Sequence, residues 1–122
     1  MIRNFLLVGL GGAVGSMLRY GSGLIIPSKN FPLATLLVNV AGSFIIGVVI
    51  AYSLRSEIFA ANWKLFLATG ICGGFTTFSA FSLENLQLLQ NGKFAVFALY
   101  IVASLLLGLI SVWAGFKFFG SI

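Results

Sequence analysis

Four apolar stretches, each long enough to cross a bilayer, take up nearly the whole chain: about residues 4–26, 32–54, 63–88 and 94–119. Spanning a hydrocarbon core roughly 30 Å thick takes about 20 helical residues, and in lipid only helices or closed barrels satisfy their own backbone groups. With nine charged side chains among 122 residues and a mean hydropathy of +1.12, almost nothing remains for a soluble domain. The sequence therefore predicts an all-α membrane protein of four transmembrane helices in a single integral membrane domain, residues 1–122. The opening Met1-Ile-Arg-Asn4, followed by Phe5-Leu-Leu-Val8, has the look of a signal peptide. No polar mature domain follows a cleavage point, however, and the segment is read as the first span.

The third stretch is interrupted where a lipid-facing helix would carry leucine, by Gly70-Ile-Cys-Gly-Gly-Phe-Thr-Thr-Phe-Ser-Ala-Phe81. Adjacent glycines cost backbone entropy and threonine is stiff at its first torsion, so the spacing predicts a break near residues 73–77. A break at membrane depth frees carbonyls, which is tolerated only where the backbone is buried in protein, binds an ion or lines a watery path. Phe75, Phe78 and Phe81 recur every third residue and would share one side of any helix that continued through. Packing is the ordinary use of such rings, yet a phenyl edge carries partial positive charge and suits a small anion. Thr76, Thr77, Ser79 and Ser82 interleave with them. Glu84, a turn beyond Phe81, is expected near the interface, either solvated or part of a vestibule.

The other segments offer polar partners. In the second, Asn30-Phe-Pro32 reads as a capped helix start, and Thr35, Asn39 and Ser43 stack along one face. The Asn39 amide serves equally as an interhelical hydrogen bond or as a donor to an anion. The fourth carries a hydroxyl stripe, Tyr100, Ser104 and Ser111, which could donate to an ion or to its own helix backbone. In the first, Gly11 with Gly15 and Gly12 with Ser16 form small-xxx-small pairs that admit a close neighbour. Arg19 near that segment's end is expected to snorkel or to find carbonyl partners. Trp113 and Lys117 with their neighbouring phenylalanines read as an interfacial anchor.

Several classes are excluded. The net charge of +5 would suit nucleic acid in a soluble chain, but the basic residues sit mostly at segment ends, where they meet headgroups. One cysteine, Cys72, and no histidine rule out an intrachain disulfide and the usual zinc clusters. Cys72 reads as a small packing residue. With four spans, Arg3, Arg55, Lys64 and Lys117 share one side while Arg19, Lys29 and Lys93 share the other, four against three. So small a bias makes insertion in both orientations, and an antiparallel homodimer, as plausible as one fixed topology.

The residues then resemble the Fluc (CrcB) family of small bacterial fluoride channels along nearly the whole chain. Gly11-Gly-Ala-Val-Gly-Ser-Met-Leu-Arg-Tyr20 is similar to that family's first-helix signature, and Thr35 to Gly47, with Leu36-Leu-Val-Asn39-Val-Ala-Gly-Ser43 inside it, to its second. Gly73-Gly-Phe-Thr-Thr-Phe-Ser-Ala-Phe81 resembles the third-helix motif, the most specific of the set, and Tyr100 with Ser104 the polar track of the fourth. The resemblance implies an antiparallel, dual-topology homodimer in the bacterial inner membrane, with two fluoride pores and a structural sodium ion at its centre. It further implies that Phe78 and Phe81 are pore rings, that Asn39 is a pore-lining donor, and that the carbonyls of Gly73 and Thr76 are sodium ligands. Thr77 and Ser111 join Tyr100 and Ser104 as candidate pore hydroxyls, with Arg19 and Glu84 as vestibule or structural residues. Gly108 departs from a track that often continues with serine, a place Ser111 could fill from the adjoining turn. No enzyme chemistry is expected. The rival readings are a small multidrug exporter, which wants a membrane-embedded carboxylate that only Glu84 could supply, and a structural membrane subunit.

Overall fold

The computed structural model describes residues 1–120, and within them the chain is helical almost throughout. Helix α1 runs Ile2–Ile25 and α2 Leu33–Arg55, followed by a short α3, Glu57–Asn62, capped by the Ser56 side chain on the Phe59 amide. The third span is composite. A π-helical segment, Leu65–Cys72, leads into a single turn, α4, Gly73–Phe75, and after an interruption α5 runs Phe78–Gln90. Helix α6, Phe94–Gly120, completes the chain after a tight turn in which Gly92 adopts φ 72°, a conformation that favours glycine.

Three of these spans are long and apolar enough to cross a membrane: α2, the composite Leu65–Gln90 and α6. Helix α1 is as long as α2 but falls below them in hydropathy, since its glycines, serines and Arg19 dilute the leucines. The expected break is present, with Thr76 and Thr77 both extended between α4 and α5. The helix start at Asn30 is different from the expectation. Pro32 occupies the cap position and the Ala34 amide is met by Ser28 Oγ at 2.9 Å, so the capping oxygen comes from two residues earlier.

The spans associate as two parallel pairs. Arg3 reaching Asn62 (3.3 Å) and Arg19 reaching the Gly74 carbonyl (3.1 Å) fix α1 alongside the first part of the third span. At opposite ends of the second pair, the Phe31 ring meets Tyr100 edge-on and Arg55 donates to the Phe119 carbonyl, so α2 runs with α6. Glycine makes both approaches possible. A Cβ at Gly15 would strike the Ile71 carbonyl and sit 2.7 Å from the Phe75 amide; one at Gly47 would strike the Val112 carbonyl. The Gly11–Gly15 pair of α1 is therefore filled by the chain's own third span, whereas a Cβ at Gly12 would meet nothing within 4 Å and Ser16 is exposed.

The core is small: Leu36, Leu88 and the fully buried Tyr100, with Phe31, Phe81 and Phe97 packed against it. Elsewhere large apolar side chains face outward, as Leu105, Leu109 and Ile110 do on α6. Such an exterior suits lipid and would be unsustainable in water. Replacing Gly15 by valine is expected to lower stability in detergent by about 3 kcal/mol through backbone overpacking. Gly9→Ala, where a Cβ meets nothing within 4 Å, should cost nothing; equal unfolding midpoints for the two variants would contradict the packing scheme.

Candidate functional site

The break between α4 and α5 is held by one side chain from α2. Asn39 Oδ1 accepts from the Thr77 amide at 2.8 Å, and Asn39 Nδ2 donates to the Thr77 carbonyl at 3.2 Å. The amide group pairs in this way with both backbone polar groups of Thr77, whose carbonyl also opens α5 but whose N–H has no helical carbonyl to meet. Thr77 in turn caps α5, its Oγ1 accepting from the Ala80 amide at 3.1 Å. In a continuous helix the Thr77 and Ala80 amides would pair with the carbonyls of Gly73 and Thr76. Both amides are captured by side chains instead, so those two carbonyls lose their usual helical donors.

The remaining ends of the break are also covered. The Arg19 guanidinium donates to the Gly74 carbonyl, which is how a charge in α1 finds a partner. Thr76 bonds back to the Cys72 carbonyl through both its amide (3.0 Å) and its hydroxyl (2.8 Å). Its methyl lies where a side chain on Gly42 would otherwise be.

Beside the break lies a cavity of about 390 Å³ that gathers Asn39, Gly73, Thr76, Thr77, Phe78, Phe81 and Ser104. Ser43, Gly42 and Gly108 line it too. Among the described residues, no ionisable side chain other than Cys72 does so. The Phe78 and Phe81 rings are 5.9 Å apart, and Phe81 leans on Tyr100 at 4.9 Å. Phe78 is 79% exposed in the single chain. Phe75 does not join them: the extended Thr76–Thr77 step takes it out of the threefold series and turns its ring to the Gly42 backbone.

Not every candidate converges here. Tyr100 stands behind Phe81, its hydroxyl donating to Glu84 Oε1 at 2.7 Å. Glu84 Oε2 accepts from Thr35 at 2.8 Å, so this carboxylate is tied into the bundle by two hydroxyls rather than simply solvated. It also borders a polar recess of about 240 Å³ with Lys29 and Lys93, at the end of the molecule where the sequence placed those two charges. Arg19 shares a separate cavity of about 340 Å³ with Thr35 and Thr77. Ser111 lies outside all three. Ser43, not among the expected pore residues, faces the cavity; its four-residue spacing from Asn39 was the available signal.

Comparison with known proteins bears on this arrangement. The family described as CrcB-like protein, Camphor Resistance (CrcB), matches residues 6–116. A protein of Azobacteroides pseudotrichonymphae described as a fluoride-specific ion channel, FluC, is 43% identical over 119 residues, 95% of each chain. One of Thermus thermophilus with the same description is 44% identical over 124 residues, covering 99% of this chain and 98% of its own. Another, FluC 1 of Listeria innocua, is 42% identical over 118 residues, 94% of this chain and 96% of its own.

Asn39→Leu keeps the bulk but strands the Thr77 amide, which has no other partner. A stranded buried group costs about 1–3 kcal/mol. Hydrogen exchange at the Thr77 amide is expected to accelerate at least about tenfold, the equivalent of 1.4 kcal/mol. An unchanged exchange rate would show that the break does not depend on Asn39.

Proposed function

This chain belongs to the CrcB-like family, a family of ion channels rather than enzymes and of multi-pass proteins of the bacterial inner membrane, and we propose that it conducts fluoride passively out of the cell. The observation that supports the reading most strongly is the match, along nearly the whole chain, to proteins described as fluoride-specific channels. The route is the cavity beside the broken span. Fluoride is small and accepts hydrogen bonds strongly, so ring edges and hydroxyls compensate its dehydration better than that of chloride. The cavity offers such groups without a fixed positive side chain, which leaves the ion able to depart. Efflux of this kind relieves a cytoplasm in which incoming hydrogen fluoride dissociates.

The working unit in this reading is an antiparallel homodimer with four spans per copy, α1 counted as the first, and two pores. Supporting it are the four-against-three distribution of basic residues and the exposed Phe78 ring, which leaves one wall of the cavity unfinished in a single chain. The carbonyls of Gly73 and Thr76, separated from their usual helical donors, suit a hard monovalent cation, as unwound backbone does in other membrane proteins. Sodium held by both copies would supply fixed positive charge near the path and steady the dimer. Two carbonyls per chain make an incomplete shell, so the second copy is needed to close it. Within each chain Asn39 holds the break open, Phe78 and Phe81 form the ring wall, and Ser104 offers a donor from α6. Thr77 lines the same wall, while Glu84 and Tyr100 brace Phe81 from behind.

Liposomes containing the purified protein should release fluoride and retain chloride; equal release of both would refute selectivity. Phe78→Ile and Phe81→Ile should each cut fluoride release at least tenfold while the dimer persists in gel filtration. Full release by both variants would overturn the ring assignment.

A further inference from the structure

Serine hydroxyls in membrane helices commonly turn back on their own backbone. Ser22, Ser53 and Ser82 all do so, each donating to the carbonyl four residues earlier at 2.8–2.9 Å. Ser104 does not: its Oγ is buried without a partner among the described residues, and it borders the cavity beside the break. Ser43 likewise makes no hydrogen bond among those residues and borders the same cavity from α2. An unpaired hydroxyl away from water carries a free-energy cost of about 1–3 kcal/mol, which Ser104 bears, while Ser43 is half-buried with its hydroxyl uncommitted on the same cavity.

Their placement is complementary. One turn beyond Ser104, about 6 Å along the axis of α6, stands Gly108, which carries no donor. A Cβ there would lie 3.9 Å from Ser43 Oγ, an ordinary contact, with nothing else within 4 Å. The hydroxyl missing from α6 at this level is thus present on α2. Ser111, the other hydroxyl of the α6 stripe, does not border the cavity.

We propose that Ser43 is a fluoride ligand, donating from α2 at the level of Gly108 and so extending the donor line one turn beyond Ser104. The inference rests on the channel reading above. A mobile anion passing from one hydroxyl to the next keeps a donor at each stage, with the change of helix between Ser104 and Ser43 set by the two parallel helices.

The test is fluoride release from liposomes by variants at the two positions. Ser43→Ala should reduce release at least about tenfold, whereas Ser53→Ala, whose hydroxyl serves only its own helix, should match the wild type. Adding Gly108→Ser to Ser43→Ala should restore release to within about threefold of the wild type, because serine fits at 108 and returns the donor to the same level. Should alanine disturb folding, Ser43→Thr and Ser43→Val have the same shape and differ in the hydroxyl; threonine should conduct at least tenfold faster than valine. If the wild type releases fluoride and Ser43→Ala does so equally well, the serine assignment fails while the channel stands. Loss in Ser43→Ala without recovery in the double variant also overturns it. If wild-type liposomes hold their fluoride, the channel reading falls and this inference with it.

Discussion

Two hydrogen bonds between the Asn39 amide and the backbone of Thr77 make the rest of the molecule possible. A helix cannot be opened inside a bilayer unless something replaces the bonds it gives up, since each unsatisfied group costs several kcal/mol there. Asn39 replaces the bond lost at the Thr77 amide, and Thr77 Oγ1 replaces another by capping α5. The consequence is directional. Amides at the break are satisfied by side chains, while the carbonyls of Gly73 and Thr76 lose their normal donors.

Close packing delivers Asn39 to the break. α2 and α6 lie together because Gly47 and Gly115 bring backbone against backbone, and α1 meets the third span through Gly11, Gly15, Gly70 and Gly74. Without a hydrophobic drive between helices in lipid, such contacts rely on dispersion over many atoms and on interhelical hydrogen bonds. Arg19 contributes one of these at the Gly74 carbonyl, so the charge that most burdens α1 also fastens it to the break. The core around Tyr100 is small, and Glu84 with Thr35 fixes the Tyr100 ring on which Phe81 rests. A carboxylate in this setting orients an aromatic wall.

Much of this was legible in the residues themselves. Hydropathy reveals the spans because bilayer thickness dictates length, and Gly73-Gly-Phe-Thr-Thr77 marks the break because those residues weaken a helix. Asn39 stood out as an amide in an apolar run, although its pairing with Thr77 is a tertiary fact. Other features escaped for stated reasons. The π-helical winding of Leu65–Cys72 depends on a pairing register no residue type announces. The periodicity that groups Phe75 with Phe78 and Phe81 holds only while the helix continues. Ser28 replaced Asn30 at the start of α2 because the loop path, rather than the residue preference, decides which oxygen reaches the free amide. Spacing puts Ser43 on the face of Asn39 and points to Ser111 as the hydroxyl next to Gly108, but it says nothing about which hydroxyl on α2 lies opposite Gly108.

An ion conducted along the cavity beside the broken span must pass close to its ring wall and its serine. Fluorine-to-carbon dipolar NMR on the reconstituted protein, with carbon-labelled phenylalanine and serine assigned by substitution, locates the ion directly. Fluoride contacts to the rings of Phe78 and Phe81 and to Ser104 are expected. Contacts confined to the polar recess near Lys29 and Lys93, with none to those rings, would contradict that route.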